Sequence, residues 1–216
     1  MIDKLHYISQ ESESGSHLMA IGRALEAGCK WIQLRVKNQP ADVILNYALE
    51  ANKLCNQHGA KLIINDHPEI ALQAGAYGVH LGLEDMSVLR ARQIVGSKML
   101  IGGTANTLQH IEQRIVEGVD YIGLGPYRFT TTKQKLSPIL GWEGINDIMQ
   151  KLGSGHIPII AIGGILVDDI ASIMETGVYG VAVSGSITNA TNRAEVVQKM
   201  YQWLNDFSFL NHTPKS

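Results

Sequence analysis

The sequence predicts an α/β chain folded as a (β/α)8 TIM barrel, and three observations carry that prediction. Short apolar runs alternate with helix-like stretches along the chain, the pattern of a parallel sheet with right-handed crossovers. There are eight such runs, the number that closes a barrel. Each run ends in polar or glycine residues, and barrels of this kind keep their chemistry at the carboxyl ends of their strands.

The elements follow in order. The first strand, Leu5–Ser9, leads into a helix over Ser16–Ala27. The second, Trp31–Val36, leads into Pro40–His58, where Val43, Tyr47, Ala51, Leu54 and Cys55 form one stripe and Pro40 suits a first helical turn. The third, Lys61–Asn65, precedes a short helix, Pro68–Ala74, ended by Gly75. Strand four, Gly78–Gly82, precedes Ser87–Val95, and strand five, Met99–Thr104, precedes Leu108–Glu117. Strand six, Tyr121–Gly125, is followed by the longest unassigned stretch, Pro126–Leu140, and then by Trp142–Leu152. A loop of that length in a compact barrel is functional or mobile as a rule. Strands seven and eight, Ile157–Gly164 and Gly180–Ser186, precede helices over Asp168–Glu175 and Arg193–Phe207. Glycine just past a helix end is the expected left-handed cap, and Gly96, Gly118 and Gly153 stand at such places.

The 216 residues lie near the lower end of the single-barrel range, and no Pro/Gly/Ser-rich linker divides them. One catalytic domain over 1–207 and a loose tail over 208–216 are expected. An apolar fraction of 45% fills a full core. A formal charge of −2 offers no basic field for nucleic acid, and no basic amphipathic stretch suggests a membrane surface. Phosphate binding must therefore come from a local cluster. Residues 1–10 lack the apolar segment and cleavage site of a signal peptide. Cys29 and Cys55 are spaced neither as a metal site nor as a disulfide framework, so buried thiols and a reducing, cytoplasmic setting are expected.

The strand ends carry the chemistry. In Gln33-Leu34-Arg35-Val36-Lys37, alternation puts Gln33, Arg35 and Lys37 on one face. If that face is the barrel interior, two cations and an amide rise toward the mouth. Trp31, Ile32, Leu34 and Val36 then supply the helix-facing side, the alternative being outward charges paired with helix carboxylates. Strand three ends in Asn65-Asp66 and strand four in Gly82-Leu83-Glu84-Asp85. Two aspartates beside two cations suit magnesium, which takes one or two carboxylates plus phosphate oxygens and water. Equally, Asp66 before Pro68 and Asp85 before Ser87 are placed as helix N-caps.

Strand five ends at Thr104, and Thr130, Thr131, Thr132 and Lys133 follow strand six; these hydroxyls and the lysine are donors for phosphate. Gly163-Gly164 and Ser184-Gly185-Ser186 end strands seven and eight, where barrels commonly hold a phosphate. Tight strand-to-helix packing would also explain the glycines. His80 and His6 read as satisfied core histidines, and His17, His58, His67, His110, His156 and His212 as surface or loop residues. No residue pattern marks a covalent nucleophile. Two anion-binding zones at one mouth imply two phosphorylated substrates or one bisphosphate.

Gln33–Lys37, Asn65-Asp66, Gly78–Asp85, Gly123–Pro126 with Thr130–Lys133, and Ala161–Ile165 resemble the thiamine-phosphate synthase family, in its order and over nearly the whole chain. The resemblance implies a cytoplasmic transferase. It would join 4-amino-2-methyl-5-(diphosphooxymethyl)pyrimidine to a 4-methyl-5-(2-phosphoethyl)thiazole, or its carboxylate, giving thiamine phosphate and pyrophosphate. It implies that Gln33, Leu34, Arg35, Val36, Lys37, Asn65, Thr104 and Lys133 hold the pyrimidine diphosphate, with Arg35, Lys37 and Lys133 catalytic. It further implies one Mg2+ per subunit on Asp66 and Asp85, and a thiazole phosphate on Thr130, Thr131, Thr132, Gly164, Ser184 and Gly185. Family members ionise the pyrimidine first, and the thiazole nitrogen attacks the carbocation.

Three positions depart from the family pattern: Thr104 replaces a usual serine, Leu83 a common glutamine and Gly185 a usual serine. A thiazole tautomerase would not need the diphosphate and metal set present here. A non-catalytic thiamine-pathway binding protein would tolerate loss of the two aspartates. The partners implied are two small phosphorylated substrates, with no nucleic acid and no membrane; a homo-oligomer is compatible with the sequence.

Overall fold

The computed structural model describes residues 1–11, 15–129 and 138–210, with the backbone alone from residue 207. Eight parallel strands pair in chain order and close where the last meets the first. They are β1 (Leu5–Ile8), β2 (Trp31–Leu34), β3 (Lys61–Asn65), β4 (Gly78–Leu81), β5 (Leu100–Ala105), β6 (Tyr121–Leu124), β7 (Ile159–Ile162) and β8 (Gly180–Val183). The helices around them are α1 (His17–Glu26), α2 (Ala41–Gln57), α3 (Pro68–Gln73), α4 (Val88–Val95), α5 (Leu108–Glu117), α6 (Gly141–Leu152), α7 (Ile170–Glu175), α8 (Gly185–Thr188) and α9 (Arg193–Leu210). This is the predicted (β/α)8 barrel.

Local signals set the helix ends. Ser16, Ser87 and Thr107 each accept the amide N–H three residues on, from Met19, Arg90 and His110, and so satisfy orphan donors of the first turn. Gly118 ends α5 in the left-handed region at φ 80°. Several boundaries differ from expectation; β2 and β7, for example, are shorter than predicted and end at Leu34 and Ile162. The strand predicted to reach Ser186 stops at Val183, because the backbone turns at Ser184 (ψ −80°) and α8 starts at Gly185. The helix predicted from Asp168 opens instead as a 3-10 turn, Val167–Asp169, and α9 runs past Phe207 to Leu210.

Buried apolar residues fall into two clusters. The larger lies between strands and helices and includes Ile32, Leu34, Val36, Ile64 and Val79. The smaller joins Ile8, Trp31, Ile63, Tyr121, Ile160 and Ala182. Each of these shares its parity along the strand with a residue at the mouth, as Trp31 does with Gln33 and Ile63 with Asn65, so this cluster fills the barrel interior. The expectation that Trp31 faces the helices is therefore wrong: the period of two places it inside with Gln33. It stacks on His6 with ring centres 4.8 Å apart and meets Tyr77 and Tyr121 edge-on.

His6 is the core histidine the sequence predicts. Burial brings its pKa to about 3, against a bond from its ring nitrogen to the Asp3 carbonyl and with help from nearby His80. An unfolded histidine takes up a proton near pH 6.5 and the folded one only near 3, so stability falls as pH drops through that window. One such group contributes up to about 1.4 kcal/mol per pH unit. Urea unfolding of His6→Phe at pH 7, 6 and 5 is expected to show a shallower fall than the parent; identical slopes would contradict this.

His17 is a correction. Predicted as a surface or loop residue, it is buried in the first turn of α1, and its ring Nδ1 meets the Ser9 hydroxyl at 2.9 Å. The Ser9 oxygen also accepts the Arg35 amide, so this one hydroxyl links the start of α1 to the segment after β2. Cys29 and Cys55 are buried free thiols, as expected. Burial pushes both up to about 12, which leaves little thiolate for reactivity. No helix among the described residues is long and apolar enough to cross a membrane.

Candidate active site

The barrel mouth at the carboxyl ends of the strands holds a cleft of about 1060 Å3. Gln33, Arg35, Lys37, Asn65, Asp66, Asp85, Thr104, Gly164, Ser184 and Gly185 all line it. Leu34 and Val36 do not. Both are buried in the outer cluster against the helices, because alternation turns every second side chain of the segment outward. Only their backbone could touch a ligand. Thr130, Thr131, Thr132 and Lys133 lie outside the described residues, as does His212.

The two aspartates meet. Asp66 sits in the left-handed region at φ 69°, a conformation that aspartate tolerates better than most residues, and its amide donates to the His80 carbonyl. Neither carboxylate caps a helix. The residue before α3 is His67, with no side-chain cap, and Ser87 caps α4. Instead Lys37 forms an ion pair with Asp66, and the Gly82 amide donates to Asp85 Oδ2 at 2.6 Å. Burial raises the Asp85 pKa and the facing Asp66 carboxylate raises it further, against the Gly82 amide and Lys37. Arg35 stands close by: burial disfavours its charge, while Asp66 and Asp85 favour it. The alternative of outward-facing charges on the second strand is thus not what the fold makes.

Below this charged tier lies a polar one. His80 bridges the Thr104 hydroxyl at 3.1 Å and the Tyr121 hydroxyl at 3.2 Å. Gln33 also reaches the Tyr121 hydroxyl, which burial pushes to a higher pKa. His80 is therefore a satisfied core histidine, as read from the sequence, and a cleft wall as well. The side-chain amide nitrogen of Asn65 is buried and meets no acceptor among the described residues. Leaving such a donor unmade costs about 1–3 kcal/mol, which a ligand oxygen would offset.

At the opposite side, the chain after β6 runs along the end of β7. The amides of Tyr127 and Arg128 donate to the Ile162 and Gly163 carbonyls at 2.8 and 2.9 Å. The Arg128 guanidinium grips both oxygens of Asp169 and the Gly164 carbonyl. A Cβ on Gly163 would lie 2.8 Å from the Pro126 Cα, and one on Gly164 would lie 3.0 Å from the Phe129 carbonyl. Close backbone packing therefore accounts for both glycines. The Ser184 hydroxyl donates to the Ile8 carbonyl at 2.6 Å, with Gln10 Oε1 at 3.1 Å, so its one hydrogen is committed within the protein.

Sequence reasoning missed Tyr121 and Asn106. Tyr121 reads as an ordinary strand aromatic; only the closed barrel aims it at Gln33 and His80. Asn106 lines the cleft and donates to the Gly125 carbonyl. Its place one residue beyond β5 was the available signal.

Comparison with known proteins follows the same line. The model of the family described as "Thiamine monophosphate synthase" matches residues 5–187. A thiamine-phosphate synthase of Flavobacterium psychrophilum is 46% identical over 93% of this chain and 98% of its own length. One from Bacteroides fragilis is 44% identical over 91% and 97%. The solved thiamine phosphate pyrophosphorylase of Pyrococcus furiosus superposes with a TM-score of 0.81 at 28% identity, covering 94% of this chain and 96% of that one.

Proposed function

The chain belongs to the thiamine monophosphate synthase family of transferases, and on that premise we propose how its cleft joins a pyrimidine diphosphate to a thiazole phosphate. The observation that carries the proposal is the meeting of Asp66 and Asp85 beside Arg35 and Lys37. Two adjacent carboxylates repel, and a divalent cation is what such a pair accommodates. Their hard oxygens, with space left for phosphate oxygens and water, fit Mg2+. Asp66 and Asp85 would hold it. When bound, Mg2+ supplies charge neutralisation at the diphosphate oxygens.

The protein's own groups do the rest. Arg35, Lys37 and Lys133 hold the diphosphate and stabilise the charge that grows on it as the methylene C–O bond breaks. The bonding pair leaves with pyrophosphate. The thiazole nitrogen gives its lone pair to the pyrimidine methylene, forming the new C–N bond. That nitrogen carries no proton, so no general base is required. Gln33, Asn65 and Thr104 hold and orient the pyrimidine diphosphate, with the Asn65 amide as a ready donor. The backbone of Gly164, Ser184 and Gly185, on the far side, would meet the thiazole phosphate, with Thr130, Thr131 and Thr132 as further donors to it. The commitment of the Ser184 hydroxyl to Ile8 favours backbone rather than side-chain contact there. Holding both substrates in one cleft adds an effective-concentration gain.

The proposed setting is the cytoplasm, with two small phosphorylated molecules as the partners. The test is direct. Purified protein incubated with both substrates and Mg2+ is expected to release thiamine phosphate and pyrophosphate in equal amounts, and a chelator is expected to abolish both. Absence of product with the metal present would refute the reading.

A further inference from the structure

Arg114 is a cation where α5 presents its buried face. It shares that face with Ile111, three residues earlier, and its side chain is only 7% exposed. A buried guanidinium costs free energy unless its donors are met. Each of its three nitrogens finds one acceptor here. Nη1 donates to Glu117 at 2.8 Å, Nη2 to the Gly82 carbonyl at 2.8 Å, and Nε to the Thr104 carbonyl at 3.3 Å. Gly103 makes room for it, since a Cβ there would stand 2.9 Å from Arg114 Cδ and 3.1 Å from Nε.

The two carbonyls belong to segments that carry candidate site groups. Gly82 opens the turn whose amide holds the Asp85 carboxylate, and its carbonyl also lies 3.5 Å from the Asp85 amide. Thr104 sets its hydroxyl on His80 in the cleft. Arg114 touches neither the cleft nor Asp85 itself. From behind the rim it joins the Asp85 turn after β4 to the end of β5, using the planar fork that lysine lacks.

We propose that Arg114 is a positioning residue for diphosphate capture, holding the Asp85 turn and Thr104 at a fixed separation. This rests on the functional reading above. Groups hydrogen-bonded directly to a metal ligand typically change affinity about 10–100-fold when removed; Arg114 acts one step further back, through Gly82, which places its effect at the low end of that range.

The test uses the full chain and inorganic pyrophosphate with MgCl2, measured by titration calorimetry, with thiazole phosphate titrated separately. For Arg114→Met, pyrophosphate affinity is expected to fall about tenfold, while thiazole phosphate affinity stays unchanged. Arg114→Lys, which keeps the charge but not the fork, is expected to fall between Met and the parent. A folded Arg114→Met with parental pyrophosphate affinity would overturn the proposal, and so would equal losses for both ligands. Should Arg114→Met fail to fold, Arg114→Lys and Gly103→Ala, which crowds the arginine, carry the same expectation and the same refutation. Failure of the parent protein itself to bind pyrophosphate with Mg2+ would instead strike the functional reading.

Discussion

Asp66→Ala is expected to lower the rate of thiamine phosphate formation by about 10²- to 10³-fold, the usual loss when one preorganised charge partner is removed. The cause is local. Asp66 faces Asp85, pairs with Lys37 and favours the charge on Arg35, so its loss removes one proposed metal ligand, unpairs Lys37 and weakens the electrostatic support for Arg35. Thiazole phosphate affinity should stay at the parental value, because the proposed groups for that ligand lie after β6, β7 and β8. Lys133→Ala is expected to behave alike. Steady-state kinetics and direct binding of thiazole phosphate, run on variants with parental melting curves, would check this. A parallel loss of both would mean that the two zones are wrongly assigned.

Trp31→Ala should give the largest stability change. The indole is 1% exposed and stacks on His6 while meeting Tyr77 and Tyr121 edge-on inside the barrel. Replacing a buried aromatic by alanine costs about 3–5 kcal/mol through lost transfer energy and the cavity left behind. For a chain of this size each kcal/mol lowers Tm by about 2–4 °C, so a fall of roughly 6–20 °C is expected. A helix-facing Trp31 would give a similar loss, so a second measurement separates the two positions. Tyr121 packs on Trp31 and hydrogen-bonds His80, so only an interior Trp31 should also disturb the His80 ring signals in NMR spectra. Unmoved His80 resonances in a destabilised variant would argue against the interior placement.

Much of the site is legible in the sequence because strands are short and their ends are chemically marked. Parity along the second strand is enough to put Gln33, Arg35 and Lys37 on one face, and the fold sets all three in one cleft. The same parity rule, applied to Trp31, places it inside as well; its size and apolarity suggest the helix-facing side instead. His17 is misplaced for a related reason. A histidine at a helix start looks solvated, and nothing local announces that Ser9, eight residues earlier, will offer it a hydroxyl. Arg114 is invisible for the strongest reason: its partners Gly82 and Thr104 are backbone carbonyls, which carry no side-chain signature.

The sequence by itself determined the number and order of the strands, their parallel arrangement and which of their ends are polar. These follow from short-range periodicity and from helix punctuation such as Gly96, Gly118 and Gly153. Only the tertiary structure decided that Asp66 and Asp85 face each other rather than cap helices. It alone tied the Ser184 hydroxyl to Ile8 and set a buried arginine behind the rim. Those outcomes depend on barrel closure and strand stagger, which bring residues distant in the chain within hydrogen-bond reach, and such distances are not written in local pattern.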